Sequence, residues 1–479
     1  MKFKIFGKAL LISAVSAALI LCVTSCVESY DTGILYVTGT DTAQTSSNGI
    51  ISGYAIDHNT GFLSPIRTLP VSSGGANPVR AVLVSSSRFL FVLNRGVSQN
   101  PAGSDQCTTQ YPCTGSNITL FAVGGHGILT MQEQFFTQGI NPFRLITDSS
   151  QSFLMVLDHD SPVPTDPSNP NSPIVPSSPA NPNQYCAAAL TGATVCGDIT
   201  VFSINQTTGR LSLVENAQVT AAGGAPLTYF PVPANPVDVI PSPGFILTLS
   251  SVNQQSSYPY TGGSLVFPYT FAGTGQLTIN QNSTQTITDS GQSGVPNAEA
   301  LSIGGSYLYV LDNNSIYLNG STTATSQSQI LPFTVGSNGA LQSQTGGPVP
   351  DDPGQSNPIF AVQENKGKWL YVANQGINTS GTGTTQNGIT GYTIDPTTHQ
   401  LTELPDLPFG TGAGPQCLVE DPSNQFFYTA NYYDSTVSGL SLDVNDGQLV
   451  PLSQNHAKVP SSYTLAGPAT WCLIDGRVD

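Results

Sequence analysis

Between Asn357 and Leu401 the chain carries four apolar runs in succession. The first opens with Asn357-Pro358, the second is Lys368-Trp-Leu-Tyr-Val-Ala-Asn374, the third is Ile389-Thr-Gly-Tyr-Thr-Ile394, and the fourth begins at Leu401. Strand length, β-branched and aromatic content and period-2 alternation predict strands, and no run has a helical period. The unit recurs along the chain. An aromatic residue two places ahead of an apolar one marks the third run at Tyr54, Phe121, Phe202, Tyr269, Phe333 and Tyr392, with Leu440 in the last copy. The turn after it has glycine at one fixed place in six copies, Gly61, Gly127, Gly209, Gly275, Gly339 and Gly447, and His399 in the other.

Seven four-stranded units, none able to bury both faces of its sheet alone, are satisfied by radial stacking. The predicted fold is therefore all-β, a seven-bladed β-propeller of four-stranded antiparallel blades. Its ends fit this reading. Gly467-Pro-Ala-Thr-Trp-Cys-Leu-Ile474 matches the opening strand of a unit, and Ile34-Leu-Tyr-Val-Thr38 matches a second strand that lacks its first. The C-terminal strand is expected to complete the N-terminal blade and close the ring.

Residues 1–25 read as an address: Lys2, Lys4 and Lys8 precede an apolar stretch from Ala9 to Val23. Val23-Thr-Ser-Cys26 resembles a bacterial lipobox, which makes Cys26 the lipidated first residue of the mature chain, with 26–32 as tether and 33–479 as propeller. The expected location is the cell envelope, lipid-anchored on the extracytoplasmic side, and membrane contact is expected through the anchor only.

Charged residues make up only 9% of the chain. Setting aside three leader lysines leaves ten Lys and Arg against 29 Asp and Glu, a net of −19. That balance argues against nucleic acid or anionic lipid as the main partner. Cysteine usage agrees with an oxidising compartment. Cys107 and Cys113 share a loop, Cys186 and Cys196 bracket the end of another, and Cys417 and Cys472 lie on first strands of neighbouring blades; these six are expected to form three disulfides. No spacing resembles a zinc site.

Turns from first to second strand are short, as in Ser85 to Arg88 and Asp421 to Asn424, whereas every long segment emerges on the opposite face. Among them, Asp160 to Asn183 is rich in Pro, Asn and Ser and reads as an extended flap over a site or a tolerated insertion. Binding is expected at the loop-rich mouth of the central channel. Polar residues stand where second strands exit there: Asn94, Asp158, Asp312, Asn374 and Asn431. At the same height on first strands are Arg80, Arg144 and Asp238. Either these three form an ion-paired ring between blades, or they hold a ligand, with Asp158, His159 or Asp160 as general base and Arg80 and Arg144 holding a carboxylate or oxyanion. Asp158, Asp160 and asparagines also have the oxygen chemistry of a calcium site.

The repeated phrases, Asn-Pro followed by a strand, Lys368-Trp-Leu-Tyr-Val-Ala-Asn374, and Ile389-Thr-Gly-Tyr-Thr-Ile-Asp395 with a Gly-Gln-Leu type turn, resemble the lactonase family of seven-bladed β-propellers over about residues 33–474. That family includes propeller-type 6-phosphogluconolactonases and fungal muconate-cycloisomerising enzymes. Its Pro-Arg-His type phrase corresponds here to Asn141-Pro-Phe-Arg144 and Asn235-Pro-Val-Asp238, which carries over Arg144 but no histidine. The resemblance implies a hydrolase acting on a small lactone or sugar acid; read from the residues themselves, Arg80, Arg144, Asp158 and His159 are expected to be catalytic, with no cofactor or metal. Asn94, Asp238, Asp312, Asn374 and Asn431 are expected to bind. The alternative is a non-catalytic scaffold that binds a ligand or a cell-envelope protein through Tyr258, Tyr260, Tyr432 and Tyr433. A monomer is expected in either case.

Overall fold

The structure is a computed structural model. It describes residues 30–42, 48–101, 107–108, 110–162, 165–166, 169–173, 196–220, 226–233, 235–252, 263–279, 285–287, 298–304, 307–313, 315–316, 325–326, 328–344, 346–379, 383–456 and 458–477. The leader with Cys26, together with Cys186, Tyr258 and Tyr260, lies outside them. Of the Asp160 to Asn183 segment beyond Pro162, the described part is a short hairpin pairing Thr165–Asp166 with Asn169–Pro173.

Seven antiparallel sheets form the blades of a propeller. The first strands are Pro78–Val84, Ile140–Thr147, Pro236–Ser242, Ala298–Gly304, Pro358–Gln363 and Pro415–Glu420 in blades 2 to 7, and Ala469–Asp475 in blade 1. Each touches the first strands of both neighbours, so together they enclose the central channel. Ring closure is as the sequence predicts. Ala469–Asp475 pairs antiparallel with Asp31–Thr40, setting Ile34 opposite Asp475 and Thr38 opposite Trp471. A disulfide between Cys417 and Cys472, Cα atoms 5.8 Å apart, ties the first strand of blade 7 to this closing strand. Cys107 and Cys113 are also bonded, and Cys196 is in a disulfide.

What holds one blade to the next is the feature that marked the repeat. Each of the fixed turn glycines adopts a left-handed backbone, with φ from 68° at Gly61 to 82° at Gly275, a conformation that costs other residues about 1–2 kcal/mol. The conformation lets the turn lie directly on the residue that opens the second strand of the preceding blade. A Cβ on Gly61, Gly209, Gly275 or Gly447 would stand within 3 Å of Phe426, Phe89, Phe153 or Trp369, respectively. Tyrosines two residues further along that strand reach the same turns: Tyr428 Oη donates to Gly61 O, Tyr371 Oη to Gly447 O and Tyr36 Oη to Gly127 O, at 2.7, 2.7 and 2.9 Å. His399 also takes positive φ, 56°, and stacks on Tyr307 of blade 5 with ring centroids 4.0 Å apart. The ring therefore does in blade 6 what the bare backbone does elsewhere.

Gly447→Ala strains the turn and drives Cβ against the Trp369 indole, 2.5 Å from Nε1. Its expected cost is about 2 kcal/mol or more, read as a lower denaturation midpoint at unchanged m-value.

Candidate functional site

The Asn-Pro phrase that opens first strands has a backbone cause. Asn77, Asn141, Asn235 and Asn357 all hold positive φ, between 51° and 61°, a region that asparagine tolerates better than most residues. The strand then bulges immediately after the proline: pairing skips from Pro78 to Arg80, from Pro142 to Arg144, from Pro236 to Asp238 and from Pro358 to Phe360. A bulge re-aims the next side chain. Arg80, Arg144 and Asp238 are thereby set at one height around the channel.

A cavity of about 570 Å³ opens at that height. First strands contribute Arg80, Arg144, Gln416 and Thr470 to its wall, the end of the second strand of blade 3 contributes His159, and the loops above contribute Arg95, Gln375, Tyr432 and Tyr433. Arg144 Nε donates to Asp238 Oδ1 at 2.8 Å, and Asp238 Oδ2 accepts from the backbone of Leu301 at 2.9 Å, so this pair stitches blades 3, 4 and 5. Arg80 is held differently. Its guanidinium lies over the Trp471 ring at 4.0 Å and donates to Val79 O, and among the described residues no carboxylate comes within ion-pair distance of it. Burial and repulsion from Arg144 pull its pKa well below the usual arginine value, with Asp238 acting in the opposite sense. An anion entering the cavity relieves both effects.

His159 stands on the cavity wall, 36% exposed. Its Nδ1 is 3.0 Å from Asp160 Oδ1, and Asp160 Oδ2 accepts from Asn141 Nδ2 at 2.7 Å. With Nδ1–H donating to the carboxylate, Nε2 keeps its lone pair and is the basic atom. Tyr432 and Tyr433 form an edge-to-face pair, centroids 5.3 Å apart.

The structure brings Arg80, Arg144 and His159 to one cavity, with Asp238 behind Arg144. It does not bring the five strand-exit residues there. Asn94, Asp158, Asp312, Asn374 and Asn431 are all fully buried inside their blades. Segments crossing between blades bond two of them, Ser73 Oγ donating to Asn94 Oδ1 at 2.6 Å and Thr411 Oγ1 to Asn431 Oδ1 at 2.8 Å, and third strands of the same blades bond Asp158, Asp312 and Asn374 through Thr200, Gln329 and Thr390. Asp158 is fully buried opposite Asp198 and takes no part in the cavity wall. Asp198 escaped the sequence reading; its signal was its place at the head of the third strand, opposite a polar exit residue. Asp158 and Asp160 hold different partners: Asp160 accepts from Asn141, and Asp158 lies opposite Asp198. Among the described residues no group of three or more His, Cys, Asp or Glu side chains converges as a metal site.

Fold and mouth together define a seven-bladed antiparallel propeller with a cation-lined central cavity. Residues 339–466, which span the end of blade 5 through blade 7, match the model of a family described as lactonase, 7-bladed beta-propeller. The chain resembles a candidate 6-phosphogluconolactonase of Bacteroides fragilis at 14% identity and TM-score 0.56, over 93% of this chain and 98% of that one. A second candidate 6-phosphogluconolactonase, of Bacteroides uniformis, aligns at 11% identity and TM-score 0.58, over 92% and 99%. A protein of Lactobacillus plantarum aligns at 13% identity and TM-score 0.54, also over 92% and 99%. Likeness at such identities speaks to the fold. No curated protein sequence matches the chain.

Asp238→Ala strands Arg144 and the Leu301 amide together. The expected loss is about 2–4 kcal/mol, measured by chemical denaturation, while Asp238→Asn, which keeps one acceptor, loses less.

Proposed function

We propose that this chain is a lactonase-type propeller that binds a small anionic sugar lactone or sugar acid at the channel mouth and hydrolyses the lactone. The observation that carries the reading is the composition of one cavity: three arginines and an Asp160-oriented histidine converge in a chain of net charge −16. The family match over residues 339–466 supports the reaction class.

The chemistry follows from the geometry. A water attacks the lactone carbonyl carbon while His159 Nε2 accepts its proton, and Asp160 stabilises the resulting imidazolium. Arg80 and Arg144 face the oxyanion and any carboxylate or phosphate of the substrate. Collapse of the tetrahedral adduct breaks the ring C–O bond, and the imidazolium returns its proton to the departing alkoxide. The product is the open hydroxy acid, whose anion the arginines still hold.

We also place the mature chain outside the cytoplasm, held to a membrane by a lipid on Cys26. The Cys107–Cys113 and Cys417–Cys472 bonds support an oxidising setting. Cys26→Ala should move the protein from the membrane fraction to the soluble fraction of its host; continued membrane retention of the variant counts against the anchor.

Phosphorylated and unphosphorylated sugar lactones, offered to the soluble domain beginning after Cys26, test the reaction. His159→Ala is expected to lower kcat by about 10²–10⁴-fold, and Arg80→Ala to raise KM chiefly for lactones bearing an anionic group. If no lactone is turned over while the variants keep the parent's thermal stability, the binding reading takes its place, with Tyr432 and Tyr433 at the rim as the contact residues.

A further inference from the structure

At the strand-exit position blades 2, 5 and 7 share a pairing that blade 3 breaks. In those three blades the exit residue of the second strand lies opposite the polar residue that opens the third. Blade 2 pairs Asn94 with Asn117, and Asn94 Nδ2 donates to Asn117 Oδ1 at 2.9 Å. Blade 5 pairs Asp312 with Gln329, and Gln329 Nε2 donates to Asp312 Oδ2 at 2.8 Å. Blade 7 pairs Asn431 with Thr436, and Asn431 Nδ2 donates to Thr436 Oγ1 at 2.9 Å. A donor meets an acceptor each time. Blade 3 pairs Asp158 with Asp198, two groups that only accept when ionised.

Both aspartates are fully buried. Thr200 Oγ1 reaches Asp158 Oδ2 at 3.4 Å, and Thr137, Gly139 and Thr200 lie near enough to favour the ionised forms, yet Asp158 Oδ1 and both oxygens of Asp198 have no donor in hydrogen-bond geometry. Gly139 seals the pair from above: a Cβ there would lie 2.3 Å from Asp198 Oδ2 and 2.4 Å from Asp158 Cβ. Among the described residues no lysine or arginine is ion-paired with either carboxyl. The titratable neighbours are Asp160 on the same strand, whose charge opposes ionisation of Asp198, and Tyr229, whose phenol pKa is raised by burial first and by Asp198 second; the segment from Thr137 to Gly139 brings none.

We propose that Asp158 and Asp198 share one proton at neutral pH, a carboxylic acid–carboxylate pair that stands in for the donor–acceptor pairs of blades 2, 5 and 7. The missing donor is then an O–H between the two carboxyls, and the buried site carries one negative charge instead of two. Desolvation, followed for Asp198 by repulsion from Asp158, raises both pKa values, in keeping with a retained proton. Because Asp158 immediately precedes His159, the pair also seats the strand end that delivers the imidazole to the cavity; only that last consequence rests on the proposed hydrolase.

The sign is set by linkage. The folded chain keeps a proton that the unfolded chain gives up above about pH 4. From there the pair's share of stability falls as pH rises, by up to tenfold in the folding constant per pH unit, until the folded pair itself loses the proton. Asp198→Asn supplies a permanent donor and removes this dependence. Denaturation of the parent and Asp198→Asn proteins is to be followed from pH 4.5 to 8.5, at about one-unit steps chosen to span that window. The expected result is a variant that gains on the parent with every unit of pH, and an infrared protonated-carboxyl band at neutral pH that the variant lacks. Parallel pH profiles for the two proteins, or no such band, overturn the proposal. So does calcium that stabilises the parent but not the variant, because a cation would then occupy the proton's place. Neither readout depends on turnover, so the hydrolase reading and the shared proton fail separately.

Discussion

The structure depends on one contact repeated around the ring: a left-handed turn of one blade lying flat on the aromatic that opens the second strand of the blade before it. Sheets in radial array share few backbone hydrogen bonds, so cohesion between blades comes from packing. A glycine turn on Phe426, Phe89, Phe153 or Trp369 brings backbone against ring with no gap, and tyrosines such as Tyr371 and Tyr428 satisfy the turn carbonyls from below. Shape and hydrogen bonding are thus met by the same two strands. Where blade 6 has His399, the contact survives as ring on ring.

This coupling explains how much of the fold was legible in the sequence. Glycine spacing and the aromatic of the third strand belong to the two sides of a packed contact, so they recur together and reveal the unit. The Asn-Pro phrase was legible for a related reason: its asparagine holds positive φ and the following bulge fixes the height of Arg80, Arg144 and Asp238. Height is what a repeat alignment supplies, and direction is what it omits. Asn94, Asp158, Asp312, Asn374 and Asn431 were placed at the right level but turn into the blades, where crossing segments or third strands bond them. Asp198 could be found only once strand register set it against Asp158.

Net charge and local charge also part company. The chain carries 29 acidic residues and seven arginines, yet three of those arginines line one cavity. Two of the nearby carboxylates are committed, Asp238 to Arg144 and Asp160 to His159. An acidic exterior discourages nonspecific attraction of polyanions, while a low-dielectric cleft concentrates positive potential where a small anion fits. Whole-chain composition argues against nucleic acid but does not describe the mouth.

The closing strand joins two properties usually treated apart. Trp471, on which the Arg80 guanidinium rests, lies in the strand that fastens the C-terminus to blade 1 and is bonded through its neighbour Cys472 to blade 7. Ala469–Asp475 is an edge strand, paired on one side only, and such a strand opens more readily than a central one. Here opening would also carry away the platform beneath a cavity cation, so the lifetime of the clasp sets an upper bound on how long the mouth keeps its shape. By joining that strand covalently to its neighbour, the disulfide limits such opening, and the guanidinium inherits the persistence of the ring.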